Sequence, residues 1–289
     1  MHSSTFRFLS PERTPLIRLL RRPGAGRVLR AAVLACIASV GAIRCEASLS
    51  VVGTRFVYPG DARALTILAR NGGEAPILVQ AWLDDGDPNA DPSRLRVPFV
   101  VAPPLARLDP GQPLSIRVQA VGGSLATDRE SRFWINLLEV PPAARSGDHT
   151  LRIAYRLRMK LLYRPPGLAG EADDAPNRIA WTRAAGAATA PVTAINPTPY
   201  YVTLTRLLLN GEPIALANGS LEVAPFDRVD VPIGASAAPY AGGITFDAVD
   251  DSGASHEYRA ALTPPRASLA VPVQPGVSAG IQPQPGKMK

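Results

Sequence analysis

The sequence predicts an all-β chain, with an immunoglobulin-type sandwich in its first half and a second β region behind it. Three observations carry this. Short apolar alternations recur, each broken by Gly, Pro, Asn or Asp. No window of about 11–18 residues holds a helical period. In the first half the predicted strands start about ten residues apart, the spacing of a sandwich.

The elements follow in order. Residues 48–58 read as a strand ended by Pro59-Gly60-Asp61. Residues 62–69 form the next, closed by Asn71-Gly72-Gly73, and 77–83 the third, before a polar loop over 84–94. In that loop Asp84, Asp85 and Asp87 could suggest calcium, but Gly86 and Pro88 do not fit the calcium-loop spacing, and the acids read as solvated. Residues 97–102 stop at Pro103-Pro104, Leu108-Asp109-Pro110-Gly111 is a turn, and 113–120 and 132–140 are strands. Residues 151–163 make the longest strand, and Pro165-Pro166-Gly167 then breaks the chain as a semi-rigid link. Beyond it, strands are expected at 190–195, 200–209, 221–223, 228–233, 243–249 and 255–262. From about Pro264 the composition turns to Pro, Gly, Ser and Gln, which predicts a disordered tail over 265–289.

Charge and composition exclude several functions. The formal charge is +7, but residues 1–47 hold eight of the 31 basic and two of the 24 acidic residues. The remainder carries 23 basic against 22 acidic residues, so nothing favours nucleic-acid binding. Residues 1–47 read as a secretory leader. Arg18, Arg21, Arg22, Arg27 and Arg30 precede an apolar run over 31–43, and Cys45-Glu46-Ala47 offers a cut before Ser48. That run is too short to span a bilayer, so no stable membrane insertion is expected once the leader is removed. Both cysteines, Cys36 and Cys45, lie in the leader, and a lipid attachment at Cys36 is the weaker alternative. Only His149 and His256 follow Ser48, so Cys/His zinc chemistry is excluded and no metal or cofactor is expected. No nucleophile elbow, phosphate loop or zinc-protease motif occurs, and nothing argues for catalysis.

The informative stretch is 151–160. Leu151, Ile153, Tyr155, Leu157 and Met159 alternate with Arg152, Ala154, Arg156, Arg158 and Lys160. The pattern fits an ordinary half-buried strand. It also fits an edge strand whose apolar row serves a partner. Lys160 is the one lysine ahead of the tail, in a chain that otherwise uses arginine, and a lysine supplies a point charge where arginine supplies a fork.

Several segments resemble the PapD-like periplasmic chaperones of chaperone–usher pilus assembly. They are Gly53 to Tyr58, Leu78-Val79-Gln80-Ala81-Trp82, Pro103 to Gln112, Asp128 to Asn136, Glu139-Val140-Pro141-Pro142, Arg158 to Pro165, and Asn196 to Thr203. The resemblance implies two immunoglobulin-like domains, 48–165 and 166–264, set at an angle around a cleft. It implies that Arg55 and Lys160 anchor a subunit's C-terminal carboxylate. It implies that Leu151, Ile153, Tyr155 and Leu157 fill a subunit's open groove by β-augmentation. Lys160 and Leu151 have opposite parity, so strand twist or a bulge is expected to reconcile the two roles. Glu130, Arg164 and Asp251 match a charged set between the domains, with Asp250 an equal candidate for the last. The implied partners are pilus or fimbrial subunits and an outer-membrane usher. The short stretch 141–150 resembles the short-loop class, which serves multi-subunit fibres. A fibre subunit or adhesin is the competing reading, and an exported glycan-binding or hydrolytic sandwich a third. A subunit is expected to carry a donor extension before its first strand, whereas Ser48 opens directly on one.

Overall fold

The computed structural model describes residues 48–143, 151–183, 191–233, 242–262 and 268–273. The expected leader, His149, most of the 141–150 stretch and residues 274–289 of the expected tail lie outside the described residues. Among the described residues no helix is long and apolar enough to cross a membrane.

The first domain is a sandwich of nine strands. These are β1 (Leu49–Val51), β2 (Arg55–Pro59), β3 (Leu65–Asn71), β4 (Ile77–Asp84), β5 (Phe99–Ala102), β6 (Leu105–Leu108), β7 (Pro113–Ala120), β8 (Ser131–Val140) and β9 (Tyr155–Arg164). One sheet runs β1-β3-β7-β5 and the other β2-β9-β8-β4-β6. Alternation places Ile67, Ile116, Val118, Ile135, Leu137 and Leu161 between the sheets, all fully buried.

The expected strand over 48–58 is two strands. β1 pairs with β3 in one sheet, and β2 pairs in parallel with β9 in the other. The crossing falls at Gly53, whose φ of 106° suits glycine. Leu105–Leu108, read as leading into a turn, is an edge strand on β4. Its half-exposed pattern hid it. Asn71 ends β3 by organising the following turn. Its buried amide donates to the carbonyls of Ala75 and Leu108 and accepts from the Gly73 N–H.

The longest expected strand is shorter than the sequence suggested. Residues 151–154 have no ladder partner among the described residues, and β9 begins at Tyr155, opposite Glu139. The reason lies across the sheet. In that register Pro141 and Pro142 would face residues 153 and 152, and proline has no N–H to donate.

The second domain follows a 3-10 turn at Ala172–Arg178. Its strands are β10 (Ala180–Arg183), β11 (Val192–Ile195), β12 (Val202–Leu209), β13 (Glu212–Pro213), β14 (Leu221–Val223), β15 (Arg228–Val231), β16 (Gly242–Val249), β17 (Ser255–Leu262), β18 (Ser268–Leu269) and β19 (Val271–Pro272). One sheet runs β15-β11-β10-β18. In the other, β13 and β14 lie on β12, followed by β16, β17 and β19. Its separate core holds Trp181, Leu204, Leu207, Ile244 and Phe246. β18 and β19 correct the expectation of a tail disordered from residue 265. Their residues pair with β10 and β17, one in each sheet, and Ala270 between them is buried.

Candidate functional site: a cation cluster between the domains

The parallel pairing of β2 with β9 sets Arg55 beside Lys160 as Cα partners. On its other side Lys160 faces Trp134 of β8. That ring is a platform for three cations, with Arg158, Arg132 and Lys160 at 4.1, 5.6 and 5.8 Å from its centroid. Domain two closes over them. Thr203 Oγ1 accepts from Lys160 Nζ at 2.8 Å, and Glu222 Oε2 lies 2.6 Å from the same nitrogen. Glu222 Oε1 contacts Arg132 Nη1. The Arg55 Nη1 donates to the Val249 carbonyl at 2.9 Å. Burial lowers the Lys160 ammonium below its ordinary value, against the pull of Glu222. Burial also lowers Arg55, against Asp251 and Glu222. A cavity of about 350 Å³ opens here, lined among others by Arg55, Tyr201, Val249, Asp251 and His256.

Glu130, Arg164 and Asp251 do meet. Arg164 Nε donates to Glu130 Oε1 at 2.7 Å, and its two Nη atoms donate to Asp251 at 2.8 and 3.1 Å. Glu130 Oε2 takes the Tyr201 N–H at 2.7 Å, and the Arg164 guanidinium covers the Tyr200 ring at 5.3 Å. Burial raises the Glu130 carboxyl, against the opposing charge of Arg164. Burial acts to lower Arg164, but Asp251 and Glu130 outweigh it and raise it. Of the two adjacent aspartates Asp251 is the one in this set. Asp250 instead organises its own turn, accepting from Ser252 Oγ at 2.7 Å and from the Ser252 and Ala254 N–H groups, with His256 at 2.9 Å.

The apolar row divides along its length. Leu151 and Ile153 are 88% and 47% exposed. Tyr155 is intermediate, and Leu157 packs against the core of its own domain. The β8–β9 register runs without a shift from Ser131↔Tyr163 to Glu139↔Tyr155. No bulge therefore brings Lys160 round to the face of Leu157, and the two roles stay on opposite faces. β9 has a second neighbour only from Lys160 onward, where β2 begins to pair. Over 156–159 its outer edge has no ladder partner among the described residues.

Two features escaped the sequence. Asp84 is no solvated acid. It is 2% exposed and bound by Arg158 at 2.6 Å and by the Asn136 amide at 2.7 Å. It sits at the end of β4, where its side chain reaches across β8 to β9. Glu222 was not singled out, because its position next to Lys160 depends on how domain two meets domain one, while Arg132, on the strand neighbouring Lys160, lay inside a matched segment without an assigned role. Thr203 lay inside a matched segment, without an assigned role.

Known proteins resemble this chain across both domains. The family described as "Pili and flagellar-assembly chaperone, PapD N-terminal domain" matches residues 48–169. "Pili assembly chaperone PapD, C-terminal domain" matches 174–260. Chaperone protein FimB/FhaD of Bordetella pertussis is 36% identical over 253 residues, covering 86% of this chain and 99% of its own length. The crystal structure of the YadV chaperone is 35% identical with a TM-score of 0.62, over 75% of this chain and 100% of that one. A structure of Salmonella enterica SafA pilin in complex with the SafB chaperone is 28% identical with a TM-score of 0.62, over 73% and 95% of the two chains. Two matched domains, a near full-length relative and the shared two-sandwich fold lead to one assignment: the chain belongs to the PapD family of pilus-assembly chaperones.

Proposed function

We propose that this chain is a non-catalytic chaperone of the periplasm. It binds pilus or fimbrial subunits by donor-strand complementation and delivers them to an outer-membrane usher. Its domains are taken as 48–165 and a second one that starts at 166 and runs past residue 264 to include β18 and β19. The observation that carries this reading is the outer edge of β9 over 156–159, which has no ladder partner among the described residues and ends where Arg55 and Lys160 stand side by side. A subunit strand added to that edge gains main-chain hydrogen bonds, and the exposed Leu151 and Ile153 ahead of it offer apolar contacts. Burying each such side chain contributes about 1.5–3 kcal/mol, less the ordering costs of association. Its terminal carboxylate, held by the two cations, forms charge-assisted hydrogen bonds of about 1.5–3 kcal/mol each. Export follows from the leader, with cleavage before Ser48.

Co-expression with a fibrillar subunit encoded nearby, followed by co-purification, tests the proposal. Arg55→Ala or Lys160→Ala should abolish subunit recovery while the chaperone stays folded. Lys160→Arg should be partly impaired, because a planar fork does not replace a point charge. Undiminished recovery with both alanine variants rules the anchor out. Mass spectrometry of the exported chain should give an unlipidated start at Ser48, and an intact leader or a lipid on Cys36 contradicts the location.

A further inference from the structure

Lys160, one of the two cations assigned to an incoming carboxylate, already holds one. Glu222 lies on β14, whose pairing with β12 puts it directly opposite Thr203. Domain two thus offers Lys160 a carboxylate and a hydroxyl side by side. The two contacts differ in quality. The hydrogen bond from Lys160 to Thr203 Oγ1 is aligned, whereas Glu222 Oε2 lies within charge contact of Nζ and has no hydrogen-bond partner of acceptable geometry. The Lys160 and Glu222 side chains are only 14% and 15% exposed, so solvent screens the pair weakly. Arg132 holds the other oxygen of the same carboxylate.

We infer that Glu222 is an internal competitor for the anchor, a carboxylate of the chain's own that occupies Lys160 until a subunit terminus displaces it. This rests on the reading of Arg55 and Lys160 as the anchor. Two carboxylates at one ammonium repel each other, so the incoming end must push Glu222 toward Arg132 or share the cation with it. Arg132 makes the first course feasible, since it can keep Glu222 paired after Lys160 is given up. Glu222 then lowers affinity for every charged chain end and leaves an uncharged end unaffected. It sets how strongly the site selects for a free carboxylate.

The test compares a synthetic extended peptide of alternating valine and threonine, made with a free α-carboxylate and as the C-terminal amide. Binding is measured on the unmutated chain, on Glu222→Gln and on Glu222→Met, each checked by thermal unfolding. Both variants should bind the carboxylate form about tenfold more tightly and the amide form equally well, as expected from removing a like charge at close range. An equal change for both peptides makes Glu222 a structural residue and overturns the inference. If the unmutated chain and the variants all treat the two peptides alike, the anchor itself fails. A ligand-free readout is independent of that outcome. The chain has three lysines, Lys160, Lys287 and Lys289. After reductive methylation with ¹³C-formaldehyde, the Lys160 signal should titrate at lower pH in Glu222→Gln than in the unmutated chain. An unmoved midpoint means that no ion pair forms, and the inference falls.

Discussion

Two charged clusters join the domains, and they are built on opposite plans. At Arg164 the donors and acceptors match. Glu130 takes Nε and a backbone N–H, and Asp251 takes both Nη atoms. At Lys160 two cations, Lys160 and Arg132, share one carboxylate while Arg55 beside them is bonded to a backbone carbonyl, and among the described residues the buried Arg132 Nε has no hydrogen-bond partner. The matched cluster satisfies its buried groups internally, as a structural joint must. The unmatched one keeps positive charge in a half-buried cleft, an arrangement that disfavours the empty state and favours an anionic guest. The contrast separates a clasp from a receptor within one interface.

Cutting the clasp should have the largest effect on stability. Arg164→Met leaves Glu130 buried with an unpaired charge, and denaturant unfolding should show a loss of about 3–5 kcal/mol. A loss below about 1 kcal/mol would reduce the clasp to an ordinary surface pair and erase the contrast.

The comparison can be extended along β9. Leu157 packs into the core, so Leu157→Asp should cost about 2 kcal/mol or more in the free chain. Ile153 is exposed, so Ile153→Asp should move free stability by no more than about 0.5 kcal/mol while subunit capture collapses. If Ile153→Asp unfolds the first domain instead, the exposed row is not a binding surface and donor-strand binding loses its basis here.

The smallest effect concerns the two adjacent aspartates. Hydrogen bonds, first from Ser252 and then from His256 and the turn's N–H groups, hold the Asp250 carboxyl down at about 2. A carboxylate depressed in the folded state adds stability above its unfolded value, and that stability is lost as pH falls through the folded one. Its contribution should therefore fade between about pH 4 and about pH 2. Asp250 lies near the surface, so this amounts to no more than about 1 kcal/mol. Asp250→Asn should flatten that part of the acid unfolding curve.

Much of the fold was legible because alternation and turn residues act locally. Pro113–Ala120 and Ser255–Leu262 fall where the pattern put them. Most of the failures have nonlocal causes. The split at Gly53 reflects a change of sheet, and the late start of β9 reflects prolines on another strand. Leu269 read as tail because its partner, β10, lies far back in sequence, and Val271 because its strand is only two residues long. At the site, Arg55, Lys160, Glu130, Arg164 and Asp251 came from motif resemblance, and the structure brings them into two neighbouring clusters. Glu222 was invisible, because its role exists only where one domain's strand meets the other's.

One strand carries three separate stations: an edge over 156–159 with no ladder partner among the described residues, Lys160, and Arg164 in the clasp. β9 therefore works as a ruler with its zero mark at the lysine. A chain end pinned there fixes the distance to every other position on the strand, Tyr155 lying about 17 Å back at ~3.3 Å per residue. A guest strand shifted by a single residue would turn its apolar side chains to the wrong face. Length and phase of the guest are then measured from its last residue, so a subunit truncated or extended by one residue at that end should be refused even with its groove intact.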